Sequence, residues 1–295
     1  MTNAPFTPAP RRLSSFLTTE LAARAGLETG SAGPDPLITG LQYDSRAVEP
    51  GNLFFALPGL HTDGRAFAAQ AASRGASVIV HEGPPPEGLP RESGPLCLRA
   101  ASSRLAMSPL ADAFFGRPSQ ALRVIGVTGT EGKSTIVYLI SQLLTLAGER
   151  AGFISTVSLG DGLAERPNPE HQTTPEAPVV HAYLARIAAN RARFAVIEAS
   201  SHGLSERTGR LADVRFAAGL ASNVHHEHLE FHGTWEQYRA DKASLFRRAR
   251  DFCVLNAADP SAPYFLEQAR SPVFLYMGGV GEGIQVPSPK SQVPL

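Results

Sequence analysis

The chain has 295 residues, of which 43% are hydrophobic, and its 27 basic and 27 acidic residues give no formal net charge. This length predicts one large domain or two ordinary ones with a sizeable core. The neutral charge gives no reason to expect nucleic acid as a partner. No run of about 18 apolar residues occurs, so no membrane-spanning helix is expected. The amino terminus lacks the pattern of a signal peptide, and the two cysteines match no metal site, so we expect a cytoplasmic protein.

The first part of the chain predicts a small α/β domain. Short apolar runs predict strands near residues 38–43, 53–57 and 77–80, and a helical pattern covers 66–74. A second helical pattern gives way to Gly116-Arg117-Pro118, which favours a domain boundary near residues 105–120. We therefore predict an N-terminal domain over 1–110, a central domain over 111–277 and a disordered or truncated tail over 278–295.

The second part alternates strands with helices, which predicts a mostly parallel sheet. The predicted strands cover 122–127, 194–198, 216–223 and 252–255. The predicted helices cover 134–147, 176–190 and 235–249. In the first of these helices, the apolar positions 136, 139, 140 and 143 share one face.

The loop between the first central strand and its helix has the composition of a phosphate-binding loop. Its sequence, Gly126-Val127-Thr128-Gly129-Thr130-Glu131-Gly132-Lys133-Ser134, departs from the strict pattern because its first glycine stands one residue early. Glycines allow backbone N–H groups to converge on phosphate oxygens, while the helix start and Lys133 add positive charge. Ser134 is placed to reach a phosphate-bound magnesium ion. The alternative is a glycine-rich turn with an incidental lysine.

Two later segments offer metal ligands. Glu198 ends an apolar strand, where phosphate-loop proteins place an acid for magnesium, although such a glutamate can equally face solvent. The run 225–232 holds four histidines, and a magnesium ligand from this loop is preferred over zinc, because no second cluster completes a tetrahedral zinc site. Spacing alone makes Lys242 a solvated charge.

The run Ala199-Ser200-Ser201-His202-Gly203 permits a different interpretation. It is a loose version of the strained turn that carries the nucleophile of serine hydrolases. The first glycine of that motif is absent, no oxyanion loop precedes it, and the phosphate loop would have no role.

In order, these segments resemble the Mur ligase family. The matching segments are Asp44-Ser45-Arg46, 50–54, 59–65, the phosphate loop, 173–176, 198–204, 223–234 and 238–246. The resemblance covers roughly residues 37–260. It implies an α/β protein with a small N-terminal UDP-binding domain and a mostly parallel, phosphate-loop central ATPase domain that is incomplete at its C-terminal end.

The resemblance implies an ATP-dependent ligase that forms an amide bond in a peptidoglycan precursor. Such an enzyme adds the third amino acid to UDP-N-acetylmuramoyl-L-alanyl-D-glutamate through an acyl phosphate. The implied cofactors are ATP and Mg²⁺, and the implied partners are that UDP-sugar dipeptide and an amino acid. A monomer is expected.

The resemblance also implies roles for individual residues. The catalytic residues would be Lys133, Glu198, His228 and Lys242. ATP would be bound by Thr128, Gly129, Thr130, Gly132, Lys133, Ser134, Thr135 and Asn256. Magnesium would be held by Ser134, Glu198, His228 and Lys242, the lysine as a carbamate. The UDP-sugar peptide would contact Ser45, Leu60, His61, Thr62, Thr173, Thr174, Ser200 and Arg210.

The sequence departs from the family in three ways that keep alternatives open. Glu131 stands where the family usually has asparagine, and Glu227 and Glu230 replace aspartates around His228. The acceptor-binding C-terminal domain of the family is not expected here. A remnant that binds nucleotide or UDP-sugar without turnover is therefore one alternative, and a relative of folylpolyglutamate synthetases is another.

Overall fold

The computed structural model describes residues 8–28, 34–59, 63–90, 94–169 and 172–277. The chain forms two compact units. The first contains Met1–Arg117, Ala177–Ala182 and Arg207–Asp213, and the second contains Pro118–Glu176, Tyr183–Glu206 and Val214–Leu295. No helix within the described ranges is both long enough and apolar enough to cross a membrane.

The first unit is built on a parallel sheet of four strands. Its order is β3 (Gly40–Gln42), β4 (Asn52–Phe55), β5 (Val78–His81) and β6 (Leu96–Arg99). A separate antiparallel pair joins β1 (Arg11–Arg12) to β2 (Leu37–Ile38). The helices are α1 (Thr19–Arg24), α2 (Ala68–Ser73) and α3 (Ser103–Phe114), with short 3₁₀ turns at Leu13–Ser15, Ser45–Ala47 and Gly64–Phe67.

Both faces of the first sheet are covered, which explains its apolar strands. Every residue of β4 and β5 is buried. Leu53 and Phe55 pack on one side with Met107 and Leu110 of α3, whereas Phe54 packs on the other with Ala71 of α2. A strand buried on both faces reads as a continuous apolar run, as these two do.

The second unit contains an eight-stranded sheet. Its spatial order is β10, β9, β8, β11, β7, β12, β13 and β14. These strands cover Glu165–Pro167, Ser158–Gly160, Ala151–Ile154, Phe194–Glu198, Arg123–Thr128, Phe216–Ala221, Phe252–Asn256 and Val273–Tyr276. The six strands from β8 to β14 run parallel, and only β9 and β10 are antiparallel, so the predicted mostly parallel sheet is confirmed.

The later helices of the described residues follow in chain order, and α6 begins in the first unit and continues in the second. They are α4 (Pro118–Ala121), α5 (Lys133–Leu146), α6 (Ala177–Ala189), α7 (Ser201–Leu204), α8 (Leu229–His232), α9 (Trp235–Arg248) and α10 (Ala262–Gln268). The sequence predicted α5, α6 and α9 to within one residue at each end. Helix α9 begins where the Thr234 hydroxyl accepts a hydrogen bond from the backbone N–H of Gln237, a regular N-cap.

The predicted apolar face of α5 is confirmed for Ile136 and Ile140, which pack against the core, and wrong for Leu139 and Leu143. Val137 and Ser141 are its buried residues, and Ile140 and Leu144 pack beside Val137 in the core. Leu139 and Leu143 are 53% and 64% exposed. Apolar residues occur all round this helix, so their spacing alone did not identify the side that packs on the sheet.

Gly126, the first glycine of the predicted phosphate loop, lies inside β7 rather than in the loop. A Cβ atom at this position would lie 2.6 Å from Leu245 Cδ1 and 2.9 Å from Phe216 Cε1. This glycine therefore permits close packing of α9 and β12 against β7.

We expect Gly126→Ala to destabilise the protein by about 1–3 kcal/mol, the usual cost of overpacking a core. The added methyl group would collide with the side chains of Leu245 and Phe216. Thermal unfolding measures the loss. In a Leu245→Ala background the same change should cost less, because space has been made; equal costs in the two backgrounds would contradict this packing explanation.

Candidate functional site

The glycine loop joins the end of β7 to the start of α5. Gly129 and Gly132 have φ angles of 152° and 78°, a region of the backbone map that favours glycine. Gly132 is the N-cap of α5, and it offers no side chain to cap the helix. The first N–H groups of the helix lack intrahelical acceptors, so they are available to an anion.

The end of β12 holds the backbone of this loop. Asn223 accepts from the Glu131 N–H through its side chain at 2.9 Å and from the Thr130 N–H through its carbonyl at 2.8 Å. The Ser222 hydroxyl donates to the Glu131 carbonyl at 2.8 Å. A Cβ on Gly129 would collide with the Ser222 hydroxyl. These contacts fix residues 129–131 through their backbone, while the Glu131 side chain is exposed.

Glu198 and Ser134 meet beside the loop. The Ser134 hydroxyl lies 3.0 and 3.1 Å from the two carboxylate oxygens of Glu198, to which it donates. Thr156 donates to the same carboxylate through its backbone N–H at 2.7 Å and its hydroxyl at 3.1 Å. Glu198 is only 2% exposed, so the interpretation of a glutamate facing solvent is wrong. Sequence reasoning missed Thr156, which follows a four-residue strand that was not predicted.

Thr174 and Ser200 form a second pair next to Glu198. The Thr174 hydroxyl donates to the Glu198 carbonyl at 2.8 Å and lies 2.9 Å from the Ser200 hydroxyl. Ser200 also caps α7 by accepting from the Gly203 N–H. Thr174 is buried, whereas Thr173 and Ser200 are half-buried. The parallel register therefore gathers these predicted residues at one edge of the sheet.

Lys242 is buried at 2% exposure, although its spacing in the sequence suggested a solvated charge. Its Nζ atom donates to the Gly129 carbonyl at 2.6 Å and lies 4.5 Å from the centre of the Tyr238 ring. Burial, together with the Lys133 ammonium, lowers the pKa of Lys242 to about 7, while Glu227 acts weakly in the opposite direction. Much of this amine is therefore uncharged near neutral pH.

Tyr238 and Lys133 complete the contacts of the loop. The Tyr238 hydroxyl lies 3.0 Å from the Thr130 hydroxyl, and burial raises the pKa of Tyr238 to about 12. The Thr130 hydroxyl also accepts from the His225 N–H at 2.8 Å. Lys133 Nζ donates to the Thr130 carbonyl at 2.7 Å, so its ammonium lies over the loop.

The histidine-rich loop, residues 225–232, contains both exposed and buried histidines. His228 is the N-cap of α8 and has a φ angle of 55°, an uncommon backbone for a residue with a side chain. Its ring is partly exposed and lies 3.7 Å from the Glu227 carboxylate and 3.4 Å from that of Glu230. His226 stacks on Trp235 at a centroid distance of 4.2 Å.

His232, at the end of α8, lies inside the protein. Its Nε2 atom lies 3.1 Å from the Ser201 hydroxyl, and its Nδ1 atom lies 2.8 Å from the Asp241 carboxylate. Ser201 and His232 both lie in segments that the sequence analysis singled out, but no local pattern predicts that they meet. Ser201 is only 2% exposed, which argues against the serine hydrolase interpretation, because such a nucleophile must be exposed.

The other predicted residues are not all in this group. The Asn256 side chain donates to the Ser222 carbonyl at 3.2 Å and accepts from the Ala258 N–H. Ser45 and Arg210 belong to the first unit, where the Ser45 hydroxyl donates to Gln70 at 2.6 Å. The predictions for Leu60, His61 and Thr62, and for the tail 278–295, lie outside the described residues.

Across the described ranges, no group of three or more His, Cys, Asp and Glu side chains is arranged to hold a metal. The predicted metal ligands include a serine and a lysine, which are not among these four residue types. In the same ranges, the buried Thr128 Oγ1 has no hydrogen-bond partner. Thr128 ends β7 directly before the glycine loop.

Two family descriptions match the chain. The Mur ligase middle domain matches residues 127–278, just over half of the 295 residues, and the Mur ligase family catalytic domain matches residues 37–110. The chain belongs to the Mur ligase family. The first match starts in β7 and contains the glycine loop, Glu198, the histidine-rich loop and Lys242.

Curated relatives in this family are about twice as long. The UDP-N-acetylmuramyl-tripeptide synthetase of Treponema pallidum is 47% identical over 279 residues, which is 90% of this chain and 50% of that protein. The UDP-N-acetylmuramoyl-L-alanyl-D-glutamate--2,6-diaminopimelate ligase of Geobacillus thermodenitrificans is 38% identical over 252 residues, 83% of this chain and 50% of that protein. The chain thus spans about half the length of the curated relatives it matches.

Solved structures show the same fold. A UDP-N-acetylmuramoyl-L-alanyl-D-glutamate--2,6-diaminopimelate ligase superposes with a TM-score of 0.69 at 28% identity, covering 88% of this chain and 53% of that one. The MurF ligase of Thermotoga maritima, solved in complex with ADP, gives a TM-score of 0.56 at 20% identity and covers 81% of this chain and 51% of its own. At 20% identity, the similarity to the MurF structure shows a shared fold and nothing more.

We expect the free energy of unfolding of the protein to exceed that of Lys242→Met by an amount that grows between about pH 7 and pH 9. The folded pKa of Lys242 is about 7 and its ordinary value is 10.5, so in this window the unfolded chain binds a proton that the folded chain lacks. The difference should grow by at most about 1.4 kcal/mol per pH unit. Urea unfolding of both proteins at several pH values measures it. A constant difference would mean that Lys242 stays charged in the folded protein.

Proposed function

We propose that this chain carries the nucleotide and UDP-sugar sites of an ATP-dependent amide ligase of peptidoglycan precursor synthesis. The reaction adds the third amino acid to UDP-N-acetylmuramoyl-L-alanyl-D-glutamate. The observation that carries the proposal is the Ser134–Glu198 pair beside the glycine loop, in a chain 47% identical to a tripeptide synthetase. The tripeptide synthetase activity is named for relatives about twice as long, and we propose it for this chain.

The glycine loop fits the phosphate groups of a nucleoside triphosphate. The uncapped start of α5 offers backbone N–H groups and a partial positive charge, and the Lys133 ammonium adds a full one. The orphaned Thr128 hydroxyl supplies a further polar group. We assign the phosphates to Thr128, Gly129, Thr130, Gly132, Lys133, Ser134 and Thr135, and further nucleotide contact to Asn256.

The Ser134–Glu198 pair fits magnesium. A buried carboxylate and a hydroxyl are the hard oxygen ligands that this ion prefers. Two donors from Thr156 and one from Ser134 reach the Glu198 carboxylate. We assign a first magnesium ion to Ser134 and Glu198 and a second to His228 and Lys242.

ATP would supply the phosphoryl group that turns the substrate carboxylate into an acyl phosphate, from which an incoming amine displaces phosphate. Two polyanions must approach each other in this chemistry, so their repulsion has to be screened. Lys133, the helix start and the metal ligands would provide that screening. We propose that the uncharged Lys242 amine adds to carbon dioxide and releases a proton to form a carbamate; its pKa of about 7 supplies such an amine near neutral pH.

The UDP-sugar peptide is assigned to the residues that the resemblance to the family implies. Thr173, Thr174 and Ser200 would contact the peptide beside Glu198, and Arg210 would bind an anionic group of the substrate. Ser45 and the Leu60-His61-Thr62 turn would contact the uridine. With these assignments, residues 1–110 form the UDP-binding domain and residues 111–277 the ATP-binding domain.

We expect Lys133→Ala to remove detectable ATP binding in calorimetry and to leave UDP-N-acetylmuramoyl-dipeptide binding little changed. A hydrogen bond to a charged group contributes about 1.5–3 kcal/mol, and the lysine would make such bonds to phosphate. Arg123→Ala is the matched control, because it removes an exposed positive charge from the other end of β7. Unchanged ATP affinity in Lys133→Ala would overturn the phosphate-loop assignment.

Magnesium should increase the affinity for ADP, and we expect Glu198→Gln to reduce that increase by about tenfold or more. Even residues that only support metal ligands contribute that much to metal affinity. Glutamine keeps the size of the side chain and removes its charge. Calorimetry with and without magnesium measures the effect, and thermal unfolding checks the fold. The assignment fails if magnesium strengthens ADP binding equally in both proteins.

A further inference from the structure

Ser201, His232 and Asp241 form a buried chain of hydrogen bonds, which we call the Ser–His–Asp relay. Ser201 Oγ lies 3.1 Å from His232 Nε2, and His232 Nδ1 lies 2.8 Å from Asp241 Oδ2. All three residues are at most 5% exposed. None of them has a role in the function proposed above.

At the Asp241 end of the relay, both carboxylate oxygens have hydrogen-bond partners. His232 Nδ1 faces the Asp241 carboxylate and Nε2 faces the Ser201 hydroxyl, so a proton on Nδ1 leaves Nε2 free to accept from Ser201. The Gln237 side chain donates to the other oxygen of Asp241 at 2.8 Å. A buried polar group that keeps its hydrogen-bond partners is stable in place, whereas removal of one partner leaves an unpaired polar group in the interior.

Each member of the relay is adjacent to a residue proposed for the reaction. Ser201 follows Ser200, and Asp241 precedes Lys242. His232 ends the single turn of α8 that starts at His228, and its backbone N–H donates to the His228 carbonyl at 3.1 Å. The relay therefore joins three segments that are distant in sequence.

The connection constrains orientation as well as position. Neighbouring residues of a helix point about 100° apart, so fixing Asp241 towards His232 also fixes the direction of Lys242, which donates to Gly129. The His228 ring packs on the His202 ring at 5.0 Å, and His202 packs on His232 at 5.3 Å. His228 also keeps an uncommon backbone conformation, which the surrounding structure must enforce.

We propose that the relay is a positioning device that sets His228 and Lys242 for the second magnesium ion. This inference rests on the proposed function, because it needs those two residues to be metal ligands. The relay acts through them and does not touch the metal or the substrate. Partners that orient metal ligands contribute about tenfold to a hundredfold in metal affinity.

The test is the binding of Mn²⁺ to the full chain in the presence of ADP and bicarbonate, followed by electron paramagnetic resonance. We expect Ser201→Ala to weaken one of two Mn²⁺ sites by about tenfold to a hundredfold and to leave the other unchanged. Ser119→Ala is the matched control: Ser119 is 1% exposed, and its hydroxyl accepts one hydrogen bond at 3.1 Å from the Arg215 N–H. It should change neither site.

Two further variants separate positioning from general stability. His232→Asn keeps a donor near Asp241 and loses the bond to Ser201, so it should resemble Ser201→Ala. Ser201→Thr keeps the hydroxyl and should retain both Mn²⁺ sites. If Ser201→Ala does not fold, Ser201→Cys replaces it, because a thiol of similar size is a weak donor.

The outcomes distinguish the two proposals. If the unaltered chain binds no Mn²⁺ with ADP, the proposed function fails and the relay loses its role with it. If the unaltered chain binds two ions and Ser201→Ala matches Ser119→Ala, the positioning role is overturned while the proposed function stands. Loss of both sites in Ser201→Ala, with the fold intact, would also overturn the specific link to His228 and Lys242.

Discussion

Hydrogen bonds from other segments to the backbone of residues 129–131 hold the glycine loop in one shape. Asn223 and Ser222 bind it from the end of β12, and Lys242 binds the Gly129 carbonyl from α9. Glycine backbones have wide conformational freedom, so such a loop would otherwise lose much entropy on meeting a ligand. The sheet order places β12 directly beside β7 and thereby makes this support possible.

The burial of Lys242 is the second consequence of this arrangement. A charged ammonium inside a protein is unfavourable, and the neighbouring Lys133 adds repulsion, so the neutral form is favoured. The side chain nevertheless keeps a polar partner in the Gly129 carbonyl and an aromatic one in Tyr238. A lysine with a lowered pKa that is fixed in place combines nucleophilic character with a defined direction.

Sequence patterns predicted the parallel central sheet and the helices α5, α6 and α9, because these elements are long and flanked by clear turns. Strands β8, β9 and β10 were missed because each contains a residue that is uncommon in strands, namely Gly152, Gly160 and Pro167. Ser134 and Glu198 were paired by motif spacing, and they meet in the structure. The contacts of Thr156, Tyr238 and His232 depend on tertiary packing that no local pattern encodes. The roles of the predicted site residues stay predictions.

The first unit takes residues from three separate stretches of the chain, including Ala177–Ala182 and Arg207–Asp213. Ala177 packs in its core with Leu13, Phe16 and Met107. A single cut near Pro118 would therefore not yield two complete pieces, because the later piece would carry two segments without their core partners. Chimeras with other members of the family must exchange all three stretches together, and substitutions in the two short stretches can act on a unit distant from them in sequence.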